Sequence, residues 1–148
     1  MTATATLTAT SSTSSESTVA VPSLWRAGLS AGVVAGAATT AIAAVASALD
    51  VGVVSTDAHP IPVAGFAQLT VFFTVVGILI AKSMRRRAAR PRATFQTTAL
   101  ALTAASFVPD VLLGTDVTSK LTLMLTHAVA AAVVIPVLVR RMPERNAR

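Results

Sequence analysis

Two ionisable residues, Asp110 and His127, lie within long apolar stretches of the sequence. Such groups are costly in an apolar environment, so they usually pair with each other or with backbone groups. A carboxylate and an imidazole within reach of each other can share a proton or bind a ligand. A plainer interpretation is that a neutral histidine, bonded to hydroxyl groups, only joins two helices. We favour the structural interpretation and keep a proton or ligand site as the alternative.

Further polar residues extend this candidate site. Steps of three and four residues place a polar stripe on one face of a helix, made of Gln96, Ala99, Thr103, Ser106 and Asp110. Because polar groups do not face lipid, the stripe must face the bundle interior or an aqueous cavity. Gln68 and Asp50 are expected in the same half of the membrane. The candidate intramembrane polar site therefore comprises Asp110, His127, Gln68, Ser106, Thr103 and Asp50.

Motifs for catalysis and cofactor binding are mostly missing from the sequence. The chain has no cysteine, which removes disulfides, thiolate catalysis and cysteine-ligated metals. It contains no serine nucleophile elbow, no phosphate-binding glycine loop and no HExxH pattern. We therefore predict no catalytic residues, no cofactor and no metal, and favour a protein that is not an enzyme.

The composition indicates a membrane protein. Hydrophobic residues make up 53% of the 148 residues and charged residues only 12%, and the mean hydropathy is +0.72. A net charge of +6 could suggest nucleic-acid binding in a soluble protein. Most basic residues here lie in two short patches next to apolar runs, so we expect membrane lipids and no nucleic acid as partners.

Four stretches are long enough to cross about 30 Å of hydrocarbon as helices, approximately 24–49, 61–82, 92–114 and 119–140. The third is the least hydrophobic and spans only if Asp110 is tolerated inside it. Residues 1–22 form a Thr/Ser-rich tail that we expect to be disordered, and 142–148 a basic cytoplasmic tail. The predicted fold is an all-α integral membrane four-helix bundle over residues 23–141.

Orientation follows from the basic residues, because short loops rich in Lys and Arg stay in the cytoplasm. The predicted topology determinants are Lys82, Arg85, Arg86, Arg87, Arg90, Arg92, Arg140 and Arg141. They predict a protein of the cytoplasmic membrane with both termini inside the cell. The loop KSMRRRAARPR could also dock an acidic cytoplasmic partner, but its role in topology, close to anionic lipid headgroups, already accounts for it.

The first helix carries small residues at regular spacing. Gly28, Gly32 and Gly36 recur every four residues, and the same line continues through Thr40, Ala43, Ser47 and Asp50. Small residues let two helices approach closely in a membrane. We favour a contact within the chain over a seam between copies, and leave a homo-oligomer or a membrane partner protein open.

Several segments together resemble a family of small actinobacterial four-helix membrane proteins that is known only as a domain of unknown function. They are LWRAGLSAGVVAG, PIPVAGFAQLTVFFTVVGILIA, the RRR loop, SFVPDVLLGTD and LTLMLTHAVAAAVVIPVLVRR, within residues 24 to 141. The resemblance implies that Pro109, Asp110 and His127 are characteristic positions, and it implies no activity. The preference for Arg over Lys also fits a GC-rich actinobacterial genome.

Three functions remain open at this point. The first is a non-enzymatic bundle with a structural, accessory or small-ligand-binding role. The second is a proton-linked transporter, or a subunit of one, that uses an Asp110/His127 pair. The third is a membrane enzyme acting on a lipid or an envelope precursor.

Overall fold

The computed structural model describes residues 23–50, 62–113 and 116–144, which form four α-helices and no strand. The helices are α1 (Leu24–Ala48), α2 (Val63–Arg87), α3 (Pro91–Leu113) and α4 (Val117–Arg140). The predicted all-α fold with four helices is confirmed. The predicted disordered tail, 1–22, and the last part of the predicted basic tail, 145–148, lie outside the described residues.

Side chains and proline mark where the helices begin. The Ser23 hydroxyl accepts a hydrogen bond from the Arg26 backbone N–H at the start of α1. The Asp116 carboxylate accepts one from the Ser119 N–H at the start of α4, at 3.0 Å. Each bond satisfies a backbone donor that has no partner within the helix. Helix α3 begins on Pro91, where a missing N–H costs nothing.

Helix α2 extends further than the sequence predicted. It ends at Arg87 rather than Lys82, so most of the basic segment is helical and only residues 88–90 link α2 to α3. Arg and Lys are good helix formers, and the last turn of a helix favours positive charge. The arginines therefore stabilise the helix that they were expected to follow.

The packing of α1 defines the topology of the bundle. A methyl group on Gly28, near the start of α1, would meet Ile78 late in α2 and Leu138 late in α4. Helices α2 and α4 are therefore both antiparallel to α1 and parallel to each other. Helix α3 must return the chain between them, and it packs against α2 and α4 without contacting α1.

The glycines of α1 lie where α1 meets α2. A Cβ atom on Gly28 would lie 2.5 Å from Ile78 Cγ1, and one on Gly32 would lie 2.7 Å from Thr74 Cγ2. Beyond Gly36 the buried line keeps the predicted Ala43 but otherwise runs one position earlier, through Thr39 instead of Thr40 and through Ala46 instead of Ser47. Each four-residue step turns the line by about 40°, so repeated steps carry it off the interface.

Two apolar clusters fill the bundle. One lies at the end where α1 begins and α4 ends, and includes Ile78, Ala81, Phe95, Leu138, Val139 and Met142. The other lies towards the opposite end, and includes Ala43, Ala46 and Phe66. Met142 belongs to the segment predicted as a basic tail, and Glu144 forms a salt bridge with Arg92. The chain beyond α4 therefore packs against the base of α3.

Among the described helices, α1, α2 and α4 are long and apolar enough to cross a membrane. Helix α3 falls outside that group although it has a similar length. Its sequence carries the polar stripe with Gln96 and Asp110, and Arg92 lies in its first turn. The helix that the sequence marked as least hydrophobic is thus the one that composition alone does not identify as a span.

Candidate functional site

Asp110 and His127 meet across the antiparallel pair formed by α3 and α4. Asp110 lies in the last turn of α3, and His127 lies on the face of α4 that packs against it. The Oδ2 atom of Asp110 is 3.0 Å from Nδ1 of His127. The hairpin between the two helices therefore brings together the two residues that could do chemistry.

A third group shares the same imidazole nitrogen. Nδ1 of His127 lies 3.0 Å from the carbonyl oxygen of Leu123, one turn earlier in α4. A carbonyl only accepts hydrogen bonds, so Nδ1 must carry the hydrogen and donate it. With that hydrogen directed at Leu123, the buried Oδ2 of Asp110 contacts Nδ1 and has no hydrogen-bond partner among the residues that the structure describes.

The two side chains differ sharply in exposure. The Asp110 side chain is 8% exposed, whereas that of His127 is 40% exposed. The Phe107 ring packs edge-on against the imidazole, with 6.3 Å between ring centroids and an interplanar angle of 78°. The imidazole is therefore the accessible part of the pair, with the carboxylate behind it and an aromatic ring at its side.

Thr103 and Ser106 lie on the same face of α3 as Asp110, and both are half-buried. Their hydroxyls donate to their own helix, Thr103 to the Ala99 carbonyl at 2.9 Å and Ser106 to the Thr103 carbonyl at 2.7 Å. Each oxygen can still accept a hydrogen bond. Thr103 and Ser106 thus extend the polar surface of α3 beyond Asp110 without bonding to the Asp110–His127 pair.

The other two residues of the predicted site lie elsewhere. The Gln68 side chain is exposed on α2. Asp50 is also exposed, two residues after α1 ends, with a positive φ of 53°. The structure therefore brings together Asp110 and His127, with Thr103 and Ser106 along the same face, and leaves Gln68 and Asp50 outside that group.

Two contacts of the pair were not anticipated, the Leu123 carbonyl and the Phe107 ring. Both have a signal in the sequence. Leu123 is four residues before His127, the spacing of a helical backbone bond, and Phe107 is three residues before Asp110, on a neighbouring part of the same face. Helical spacing around each candidate residue would have identified them.

The surroundings of the pair limit what it can hold. Within the described ranges, no group of three or more His, Asp or Glu side chains lies close enough to bind a metal ion. A shallow apolar depression of about 260 Å³ adjoins Phe107 and is lined by residues of α3 alone, Ala104, Phe107, Val108, Val111 and Leu112. One helix cannot enclose a ligand, so the exposed imidazole edge is the accessible polar feature of this site.

Chemically, the pair resembles a carboxylate–imidazole dyad. With Nδ1 donating, the neutral ring presents the lone pair of Nε2 as a hydrogen-bond acceptor or base. An ionised Asp110 carries negative charge behind the ring, so it attracts a positively charged group placed beside the pair. The arrangement can therefore hold a proton or accept a hydrogen bond from a small donor.

Comparison with known proteins identifies the family of this chain. No curated protein and no solved structure matches the chain. A model of a family of unknown function, DUF6069, matches residues 19–144 and so covers all four helices and the Asp110–His127 pair. The chain belongs to this family of unknown function, DUF6069.

Proposed function

We propose that the protein crosses the cytoplasmic membrane four times and binds a small cationic ligand at the Asp110–His127 pair, which faces the outside of the cell. In this proposal the protein is not an enzyme. The observation that carries it is the 3.0 Å contact between a buried carboxylate oxygen and a partly exposed imidazole. An actinobacterial source, expected from the sequence, fits the same proposal.

Four crossings are supported by the topology of the bundle. Helices α1, α2 and α4 are each apolar enough to span, and α2 and α4 run parallel to each other. A chain that crosses twice in the same direction must return between the crossings. Only α3 connects α2 to α4, and its 23 residues reach about 34 Å, enough to cross the hydrocarbon.

The orientation is supported by the distribution of charge at the two ends. The end that holds Ile78 and Leu138 also carries Arg26, the arginines that close α2, and Arg140. The opposite end carries Asp50, Asp110 and Asp116, with Lys120 as its described basic residue. Because basic ends stay inside the cell, both termini are cytoplasmic and the pair opens outwards.

The ligand class follows from the polarity of the pair. The Nδ1 hydrogen is used on the Leu123 carbonyl, so Nε2 accepts rather than donates while the ring is neutral. The carboxylate behind the ring and the acidic residues at that end attract positive charge. A protonated amine supplies both an N–H donor and a positive charge, which makes small ammonium compounds the best match.

The packing of the inner half favours binding over transport. Between the pair and the basic end, Ile78, Ala81 and Leu138 are at most 1% exposed and form one apolar cluster. A dense apolar core leaves little room for a hydrated path. The polar surface around His127 therefore ends inside the bundle, as it does in a binding site open on one side.

Thermal unfolding in lipid nanodiscs tests the ligand class. Methylammonium and ethylammonium should raise the unfolding temperature of the native protein, because a ligand that binds only the folded state stabilises it. Acetate and propionate at equal ionic strength should not. Asp110→Asn and His127→Gln should abolish the shift, while Thr97→Val, an exposed position of α3, should keep it. Equal shifts with both ion series, or an unchanged shift in Asp110→Asn, would refute the proposal.

A proton-linked transporter is the second candidate, because the half-buried Thr103 and Ser106 continue the polar face of α3 below the pair. A carboxylate in contact with an imidazole is a common way to carry a proton through a membrane protein. Proton flux into liposomes distinguishes the two functions. Flux that is lost in Asp110→Asn and His127→Gln would favour the transporter, and flux no greater than that of empty liposomes would exclude it.

A further inference from the structure

Gln68 lies on the outward face of α2, away from the rest of the bundle. The inward face of this helix is defined by its buried residues, Phe66, Thr74, Ile78 and Ala81. At 100° per residue, Gln68, Phe72 and Leu79 lie on the side of α2 away from these residues, with Ala64 and Val75 along its edge. Phe72 and Leu79 are 60% and 53% exposed, so this outward face of α2 has no cover within the described chain.

Gln68 also lies deep in the apolar span. Lys82 is 14 residues further along α2 and marks the basic boundary of the membrane, about 21 Å away along the axis. A hydrocarbon layer of roughly 30 Å then extends about 9 Å beyond Gln68. The amide is too far inside for its short side chain to reach the headgroup region.

An amide at this depth requires a hydrogen-bonding partner. Lipid tails offer none, and polar groups left unpaired in hydrocarbon are strongly disfavoured. Within the part of the chain that the structure describes, no residue forms a hydrogen bond with the Gln68 side chain. The partner must therefore come from outside this part of the chain.

We propose that the outward face of α2 is the interface with a second copy of this protein, and that the two Gln68 amides bond to each other. A carboxamide both donates and accepts, so two copies related by a two-fold axis can exchange a pair of hydrogen bonds. Copies inserted with the same topology place Gln68 at the same depth without further adjustment.

The neighbouring residues suit such an interface. Ala64 lies one turn before Gln68, and a small residue there allows two helix backbones to approach closely. Phe72 and Leu79 supply larger apolar side chains on the other side of Gln68. Val75 lies between them, and its branched side chain has few rotamers to lose when it packs. The face therefore offers close approach at one end and apolar contact area along the rest.

Cross-linking tests the face directly, because the native chain has no cysteine. Single substitutions Ala64→Cys and Leu79→Cys should give a disulfide-linked dimer when oxidised in lipid vesicles. Leu100→Cys is the control, since Leu100 is exposed to the same degree as Leu79, 53%, but lies on α3. Cross-linking that is equal or stronger at Leu100 would overturn the proposal.

Energy transfer between labelled copies, measured as vesicle lipid is added, tests the role of the amide. Gln68→Leu should raise the dissociation constant of the dimer about three- to thirtyfold. Gln68→Asn keeps a carboxamide, so its dissociation constant should lie closer to that of the native protein. Gln96→Leu, which removes an exposed glutamine of α3, should leave the dissociation constant at the native value. A native protein that stays monomeric at every lipid ratio, or a Gln68→Leu variant that dimerises like it, would refute the interface. Neither result depends on ligand binding at His127.

Discussion

The hydroxyl oxygens of Thr39 and Thr70 lie 3.0 Å apart, in the contact between α1 and α2. Thr39 donates its own hydrogen to the Gly36 carbonyl at 3.1 Å, so Thr70 donates and Thr39 accepts. The two residues lie between the apolar clusters at either end of the bundle. They form a polar link between helices at a depth where water is scarce.

Thr39→Val should weaken this link and destabilise the protein by about 0.6 kcal/mol, up to roughly 1.7 kcal/mol, the range measured for bonds between membrane helices. The measurement is reversible unfolding in bicelles. Thr97→Val, an exposed threonine of α3, is the matched control and should have little effect. Equal losses in both variants would show that the bond between Thr39 and Thr70 adds nothing to stability.

Gly28→Ala should destabilise the bundle by about 1–3 kcal/mol, as overpacking of a tight core does. The added Cβ would lie 2.5 Å from Ile78 Cγ1, which forces α1 and α2 apart or Ile78 into another rotamer. Unfolding in bicelles measures the loss, and combining the change with Ile78→Val should recover part of it.

Gly77→Ala is the control for that prediction. Its added Cβ would meet only Leu138 Cδ1, at an ordinary 3.8 Å. Removing a glycine from a helix interior gains up to about 1 kcal/mol in soluble helices, so this variant should be neutral or slightly stabilised. A Gly28→Ala variant as stable as Gly77→Ala would contradict the close approach of α1 to α2.

Nitrogen NMR of the imidazole tests the geometry of the candidate site. The chain has two histidines, so His59→Gln leaves His127 as the only signal. Neutral His127 should carry its hydrogen on Nδ1, because that atom faces the Leu123 carbonyl. Hydrogen on Nε2 instead would show that Nδ1 accepts a hydrogen bond, for which a protonated Asp110 is the donor in contact among the described residues.

Labelling of single cysteines with a reagent that does not cross membranes tests the orientation. Val117→Cys, in the first residue of α4 and 71% exposed, should react when the reagent is added outside the cell. Ala89→Cys, between α2 and α3, should react only after the membrane is opened. The reverse pattern would place both termini outside.

The helices could be predicted from the sequence because each follows a simple physical requirement. Long apolar runs must be helical in lipid, and Ser23 and Pro91 mark two of the starts. The run of apolar residues predicts the span at 61–82, whereas α2 continues through Arg85 to Arg87, which are good helix formers outside that run. A change from apolar to charged residues marks a membrane boundary rather than a helix end.

The candidate site was only partly predictable. Depth along a helix can be counted from the sequence, and that count placed Asp110 and His127 within one turn of each other. The direction in which each face points depends on which helices are neighbours. That is why Gln68, at a similar depth, was grouped with the pair although its side chain faces away from the bundle.

The contact between α3 and α4 also has a consequence for how the chain enters the membrane. During synthesis α3 leaves the ribosome before α4. It carries Asp110, whereas His127, which contacts Asp110 in the bundle, lies 17 residues later in the sequence. Taken alone, it is the helix whose composition does not identify it as a span. Its retention in the bilayer would then depend on the next helix, and α3 and α4 would leave the translocon as a hairpin rather than one at a time.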